Sequence, residues 1–339
     1  MKFLSQLIPA NLQEEKQKFF ADNTYNPRFI YTEAVPQHKL EKYPVPDPKL
    51  VLLAEKIVAA HHEEVIDERG NADPDRFLSN EEVTLKSIQF LKIHGLDQKI
   101  KIKWSSSFIT RATMNEEFLK LKSDAVFTEK DTISMLFHEV GTHALRRLNY
   151  EQQPWFLKKK KFGFSDYLET EEGLAVLHGL LATTNKSLFS TAVRFLAVEK
   201  GLTMTFAELW QYLEPYFPNH ERRWTAVLRQ KRGVQDTRNP SVFMKDALYF
   251  SGSVRMARWL DRHNYDLTGL YFGKISSKDV GKARELNAGY LPKLPIFYLA
   301  DKEKYISGIK EIIKKNFCRL FFEKKFKASS NISRILCER

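Results

Sequence analysis

The chain has 339 residues, 43% of them apolar, enough for one large enzyme domain or two modest ones around a sizeable core. Its two cysteines, Cys318 and Cys337, both lie near the end, which excludes a disulfide framework and a cysteine-based zinc site and fits a reducing, cytoplasmic setting. A formal net charge of +12 favours anionic partners, whether nucleic acid, an anionic membrane or an acidic polypeptide, without choosing among them.

Near the N-terminus a short apolar run is interrupted by Gln6, Pro9 and the charges from Glu14 onward, so no standard secretion signal is expected. No stretch approaches the roughly 20 apolar residues of a membrane-spanning helix; the densest, 173–184, is short and carries His178. A soluble protein follows. Pro36, Pro44, Pro46 and Pro48 punctuate an irregular segment that leads into a helix from Pro48 to about Arg69. Its apolar residues Leu50, Leu53, Ile57, Val58 and Val65 recur at helical steps, and Gly70 is the stop. A second helix runs from Glu81 to His94 and ends at Gly95. The period then changes: KIKW at 101–104, FITRATM at 108–114 and DAVF at 124–127 read as short strands of a small sheet. Thr128, with Asp131 three residues on, opens a helix whose Ile133, Leu136 and Phe137 share a face. Helical patterns continue through residues 171–184, 190–201 and 205–213, followed by irregular segments around Pro215, Pro218, Gly233 and Pro240. The expected fold is α+β with helix in the majority. Three regions are expected: 1–98, helical; 99–300, catalytic and forming one compact unit with the first; and 301–339, a basic amphipathic tail.

The helix after the sheet contains HEVGTH, with His138 and His143 flanking Glu139. Zinc takes neutral imidazoles and a carboxylate as three protein ligands and leaves a position for water, whose proton a nearby carboxylate can remove. The spacing is unusual, because the histidines stand at i and i+5. On an ideal helix, five steps turn the second ring about 140° from the first. A π-bulge corrects this, and Gly141, which weakens a helix by about 1 kcal/mol relative to Ala, stands where the distortion is needed. A third ligand is expected from TEEGLAVLHG, where Glu171 or Glu172 points inward and the other acid orients one of the histidines. Gly173 permits close helix packing there, and Ala175 and Leu177 wall the site.

HEVGTHALRRLN followed by TEEGLAVL resembles the tyrosine carboxypeptidase family that includes the microtubule-associated tyrosine carboxypeptidases and the bacterial proteins named for a QEGLA motif. The resemblance runs from NPRF at 26–29, through the sheet and both motifs, to RGVQDT at 232–237 and FMKDALYFSG at 243–252. The paired acids also resemble dipeptidyl peptidase III, where the second acid binds zinc. Both comparisons imply a zincin-like HExxxH metallopeptidase holding one Zn2+ per chain through His138, His143 and Glu172, with Glu139 as the base. They further imply a carboxypeptidase that removes a C-terminal tyrosine or other aromatic residue from an acidic tail such as that of tubulin. The motif's first position departs from the family pattern, with Glu171 in place of Gln, which adds a negative charge beside the metal.

A carboxypeptidase must bind a free α-carboxylate, for which Arg232, Lys245 and Tyr249 are the candidates, with Asp236 and Asp246 holding the cations in place. FITRATM is placed to pair with extended substrate as an edge strand. Lys158–Lys161, after Trp155 and Phe156, lie between the two motifs and can rim the cleft for an acidic tail. Residues 305–327 alternate Ile309, Ile312, Ile313, Phe317, Leu320 and Phe321 with basic residues. Such a helix either packs its stripe on the domain or lies on an anionic membrane; residues 328–339 read as disordered. Two other classes of function remain. ERRW at 221–224 and LRQKRG at 228–233 fit nucleic-acid binding, though no recognised motif accompanies them. A zinc-bearing module without peptidase activity is the other, which the intact Glu139 argues against. Oligomeric state is not encoded in any pattern of the chain.

Overall fold

A side-chain cap sets where the helix that carries His138 begins. The computed structural model describes residues 6–67, 76–106 and 110–322. In chain order its helices are α1 (Leu12–Ala21), α2 (Gln37–Leu40), α3 (Pro48–Asp67), α4 (Asn80–Ile93), α5 (Glu129–His138), α6 (Leu145–Glu151), α7 (Leu168–Leu181), α8 (Phe189–Gly201), α9 (Phe206–Tyr212), α10 (His220–Lys231), α11 (Ala247–Arg262), α12 (Val280–Leu286), α13 (Ile296–Leu299) and α14 (Lys302–Phe322). The strands are β1 (Phe77–Leu78), β2 (Lys101–Ser105), β3 (Ala112–Met114), β4 (Phe118–Lys122) and β5 (Phe127–Thr128). Reciprocal caps start three of the helices: Ser79 with Glu82 on α4, Thr128 with Asp131 on α5, and Thr205 with Glu208 on α9. Each satisfies backbone amides that an isolated helix start leaves unpaired. The protein is α+β with helix predominant, as expected.

The sheet differs from its sequence reading. Its order is β2-β4-β3, with β4 parallel to β2 and antiparallel to β3. The central strand, FLKLK, was not among those expected, although Leu119 and Leu121 are fully buried and the intervening lysines face outward. FITRATM forms a strand only over Ala112–Met114, its residues 108 and 109 lying outside the described set. DAVF contributes only Phe127, in the two-residue pairing of β5 with β1. Helix α3 is described as far as Asp67, and the expected stop at Gly70 falls outside the described residues.

One apolar core runs from Phe19 to Phe317. The N-terminal segment is stitched to the 235–237 loop by Phe29 N–H to the Gln235 carbonyl (2.7 Å) and Thr237 N–H to the Pro27 carbonyl (3.2 Å). Behind it, Phe19 meets Phe206 and Trp210 edge-on at ring separations of 5.0 Å. At the other end, α14 buries Tyr305, Ile309, Ile312, Ile313 and Phe317 in the same core. Its described stripe is therefore unavailable to a membrane, which corrects the possible peripheral membrane contact over 305–317; the remainder of the expected stretch to 327, with Leu320 and Phe321, lies beyond the described side chains. The expected disorder of 328–339 also falls outside the described residues. No helix among the described residues is long and apolar enough to cross a membrane.

The basic pieces proposed for nucleic acid face largely inward. Arg223, Lys231 and Arg232 are buried. Arg223 donates to the Phe217 carbonyl (2.8 Å) and Lys231 to the Gly201 carbonyl (3.1 Å), so these charges serve internal carbonyls.

Candidate metal centre

Between α5 and α6 the backbone widens into a π segment, Glu139–Ala144. This is the distortion that the i, i+5 histidine spacing demands, and it brings the two imidazoles to ring centroids 5.0 Å apart, inclined at 71°. Gly141 is required by close approach: a Cβ there would lie 2.5 Å from the Phe297 ring, which stacks on Phe137 at 4.1 Å. Tyr271 donates its hydroxyl to the Gly141 carbonyl (2.5 Å), and Thr142 donates to the Phe137 carbonyl (3.1 Å). Side chains thus satisfy carbonyls that the irregular turn frees.

Helix α7 brings the acids. It crosses α11 at Gly173 and Gly252, where a Cβ on Gly173 would lie 2.1 Å from the Gly252 carbonyl carbon. That contact seats Glu171 and Glu172 against the π turn. Donor atoms of His138, His143 and Glu172 all lie within 4.8 Å of one another. His143 Nε2 is 3.6 Å from Glu172 Oε2, and Nδ1 is 3.0 Å from Glu171 Oε1, so each ring nitrogen faces one acid. Glu171 is in turn held by Arg146 Nη1 (3.0 Å) and Lys274 Nζ (2.5 Å). Fully buried Arg146 also donates to the carbonyls of Leu270 (3.0 Å) and Ile275 (2.6 Å), tying the loop that carries Lys274 to the site.

The electrostatics follow from burial and this charge order. Burial, with His143 beside it, pushes His138 down to about 3, so it is neutral near pH 7, the form that ligates metal. Burial also opposes charge on His143, but Glu171, Glu172 and Glu139 outweigh it and hold the imidazole above its ordinary value. A cation at this point is therefore favoured. Burial raises Glu171, yet Lys274, the His143 hydrogen bond and Arg146 overcome it and hold the carboxyl well below the usual range. Burial, reinforced by Glu172, raises Glu139, moving it toward the proton affinity useful in a base near neutral pH. The backbone of Met114 on β3, which pairs only with β4 among the described strands, opposes that rise in Glu139. The donor set of two imidazoles and one carboxylate, partly open to solvent (the His143 side chain is 14% exposed), suits a zinc ion with room for water.

The three carboxylate-binding candidates separate. Lys245 Nζ lies 3.2 Å from Glu172 Oε1, and the Tyr249 ring lies 5.9 Å from that Nζ, which places both at the centre. Arg232 lies instead beside Asp246 (3.6 Å) and over the Phe243 ring (4.7 Å). Asp246 does hold two arginines, Arg229 and Arg232. Asp236 pairs with Arg238 and so steadies none of the three candidates, contrary to the sequence reading. Arg146, Thr142, Tyr271, Lys274 and His178 were missed. Arg146 had a signal, since it follows His143 by three residues and shares its helix face; Lys274 had none.

Fold and site together define an α+β protein with a His, His, Glu constellation on a π-widened helix and a neighbouring one. The chain belongs to the family described as microtubule-associated tyrosine carboxypeptidase, whose model matches residues 26–313. It is 30% identical over 325 residues to microtubule-associated tyrosine carboxypeptidase 1 of Mus musculus, covering 91% of this chain and 68% of that protein. The Homo sapiens protein of that name is 30% identical over 323 residues, covering 91% and 67%. Putative tyrosine carboxypeptidase MATCAP2 of Mus musculus is 28% identical over 322 residues, covering 92% of this chain and 62% of that protein.

Proposed function

We propose that the protein is a zincin-like, zinc-dependent carboxypeptidase that removes a C-terminal tyrosine or other aromatic residue from an acidic polypeptide tail of the tubulin kind, in the cytoplasm. The convergence of His138, His143 and Glu172 within 4.8 Å, with Glu139 in the same turn, carries this reading. The relatives' names support the tyrosine-ended substrate.

His138, His143 and Glu172 would hold one zinc ion, which when bound supplies an activated water and a polarised scissile carbonyl. Glu139 removes the proton from the attacking water and returns it to the leaving amine. Lys245 and Tyr249 receive the substrate's α-carboxylate, and β3 offers its unpaired edge to the extended peptide backbone. Outside the centre, exposed Lys158, Lys160 and Lys161 draw in the acidic tail, while Lys159 is held over the Tyr167 ring at 3.5 Å.

The test pairs metal analysis with hydrolysis of an acidic peptide ending in tyrosine. Wild type is expected to carry about one zinc per chain and His143→Ala to lose it. Glu139→Gln is expected to keep the metal and lose at least about 100-fold in kcat. A wild type without zinc refutes the reading.

A further inference from the structure

One buried titratable side chain beside the centre has no part in the chemistry above. His178 lies on α7, fully buried. Its Nδ1 is 2.8 Å from Thr142 Oγ1 and its Nε2 is 3.3 Å from the Tyr305 hydroxyl on α14. With the Thr142 proton on the Phe137 carbonyl (3.1 Å), the threonine oxygen accepts from His178 Nδ1–H and Nε2 accepts from the Tyr305 hydroxyl. Burial keeps the imidazole neutral at neutral pH.

The chain ends on the turn that the metal site depends on. Phe137 immediately precedes His138, and Thr142 immediately precedes His143. The Thr142 hydroxyl therefore spans the stretch in which one extra residue is accommodated. Without that bond, the turn is free to tighten into regular α-helix, which swings His143 by about 100° away from His138. We infer that Thr142 and His178 are positioning residues: the hydrogen-bonded chain Tyr305–His178–Thr142 holds the π turn in the shape that lets His138 and His143 bind one metal ion.

This role rests on the metal reading of the centre, and the experiment separates the two. Full-length wild type, Thr142→Val, His178→Phe and His178→Asn are compared by chelator competition for zinc, by the visible spectrum of the cobalt-substituted protein and by urea unfolding of the metal-free forms. Valine keeps the shape of threonine without its hydroxyl, and the asparagine amide can donate where Nδ1–H does. Thr142→Val and His178→Phe are expected to bind zinc about 10- to 100-fold more weakly with an altered cobalt spectrum, and His178→Asn to stay within about threefold of wild type with its spectrum intact. Wild-type zinc affinity in a folded Thr142→Val overturns the role, as does a folded His178→Asn no better than His178→Phe. Should His178→Phe not fold, Thr142→Val against His178→Asn decides alone. Wild type that takes up neither zinc nor cobalt brings down the metal reading and this role together, whereas metal held equally by wild type and Thr142→Val removes only the role.

Discussion

Gly173→Ala tests how the two helices of the site are held. A solvent-exposed helical glycine exchanged for alanine stabilises by about 1 kcal/mol, because alanine restricts the unfolded chain and favours helix. Here the added methyl would meet Gly252 backbone atoms at 2.1, 2.3 and 2.6 Å, and backbone cannot rotate away as a side chain does. Reaching ordinary carbon contact requires α7 and α11 to separate by roughly 1.4 Å. Overpacking of that kind costs about 1–3 kcal/mol, so the sign reverses and net destabilisation is expected. The separation also moves Glu172 relative to Lys245, now 3.2 Å apart, and a misplacement near 1 Å lowers turnover by about 100-fold. Urea unfolding of the metal-free protein reads the first effect and kcat/KM on a tyrosine-ended peptide the second. A Gly173→Ala protein more stable than wild type, with unchanged kcat/KM, refutes this picture of the helix crossing.

Glu171→Gln removes the charge that Arg146 and Lys274 face and is expected to weaken zinc binding about tenfold, measured by chelator competition. Asp246→Asn leaves Arg229 and Arg232 without their buried counter-ion and should cost about 3–5 kcal/mol at pH 7, read from urea midpoints. Burial raises the Asp246 carboxyl, but Arg229 and Arg232 outweigh it and hold the group below its ordinary value. The stabilisation is thus complete above the unfolded value near about pH 4 and fades as pH falls through the folded one. The wild-type advantage over Asp246→Asn should stay level from pH 7 to 5 and shrink below about pH 4. Replacing Lys158, Lys160 and Lys161 together by Ala should raise KM for an acidic-tailed peptide, leave a neutral peptide unaffected and flatten the salt dependence of kcat/KM.

The local rules of the chain were legible because they act over a few residues. Thr128 and Asp131 announced the start of α5, and the five-residue histidine spacing announced the π turn, since no regular helix satisfies it. Strand β4 escapes a search for β-branched residues because Phe, Leu and Lys build it; only the strict alternation of Leu119 and Leu121 with lysines marks it. The support of the centre was not legible for a different reason. Lys274 reaches Glu171 across 103 residues and Tyr305 reaches His178 across 127, and no periodicity encodes such meetings. Asp236 and Asp246 look equivalent as acids near arginines, yet burial among Arg229 and Arg232 distinguishes one, while local pairing with Arg238 absorbs the other.

The packing of α14 bears on when the protein becomes active. Its buried Tyr305, Ile309 and Phe317 complete a core begun at Phe19, and Tyr305 touches His178 directly. During synthesis, His138, His143 and Glu172 all emerge well before the helix that backs them. A nascent chain thus has every metal donor but lacks the wall behind His178. Under the proposed function, a fragment stopped before residue 302 is expected to be a poor enzyme however intact its motifs.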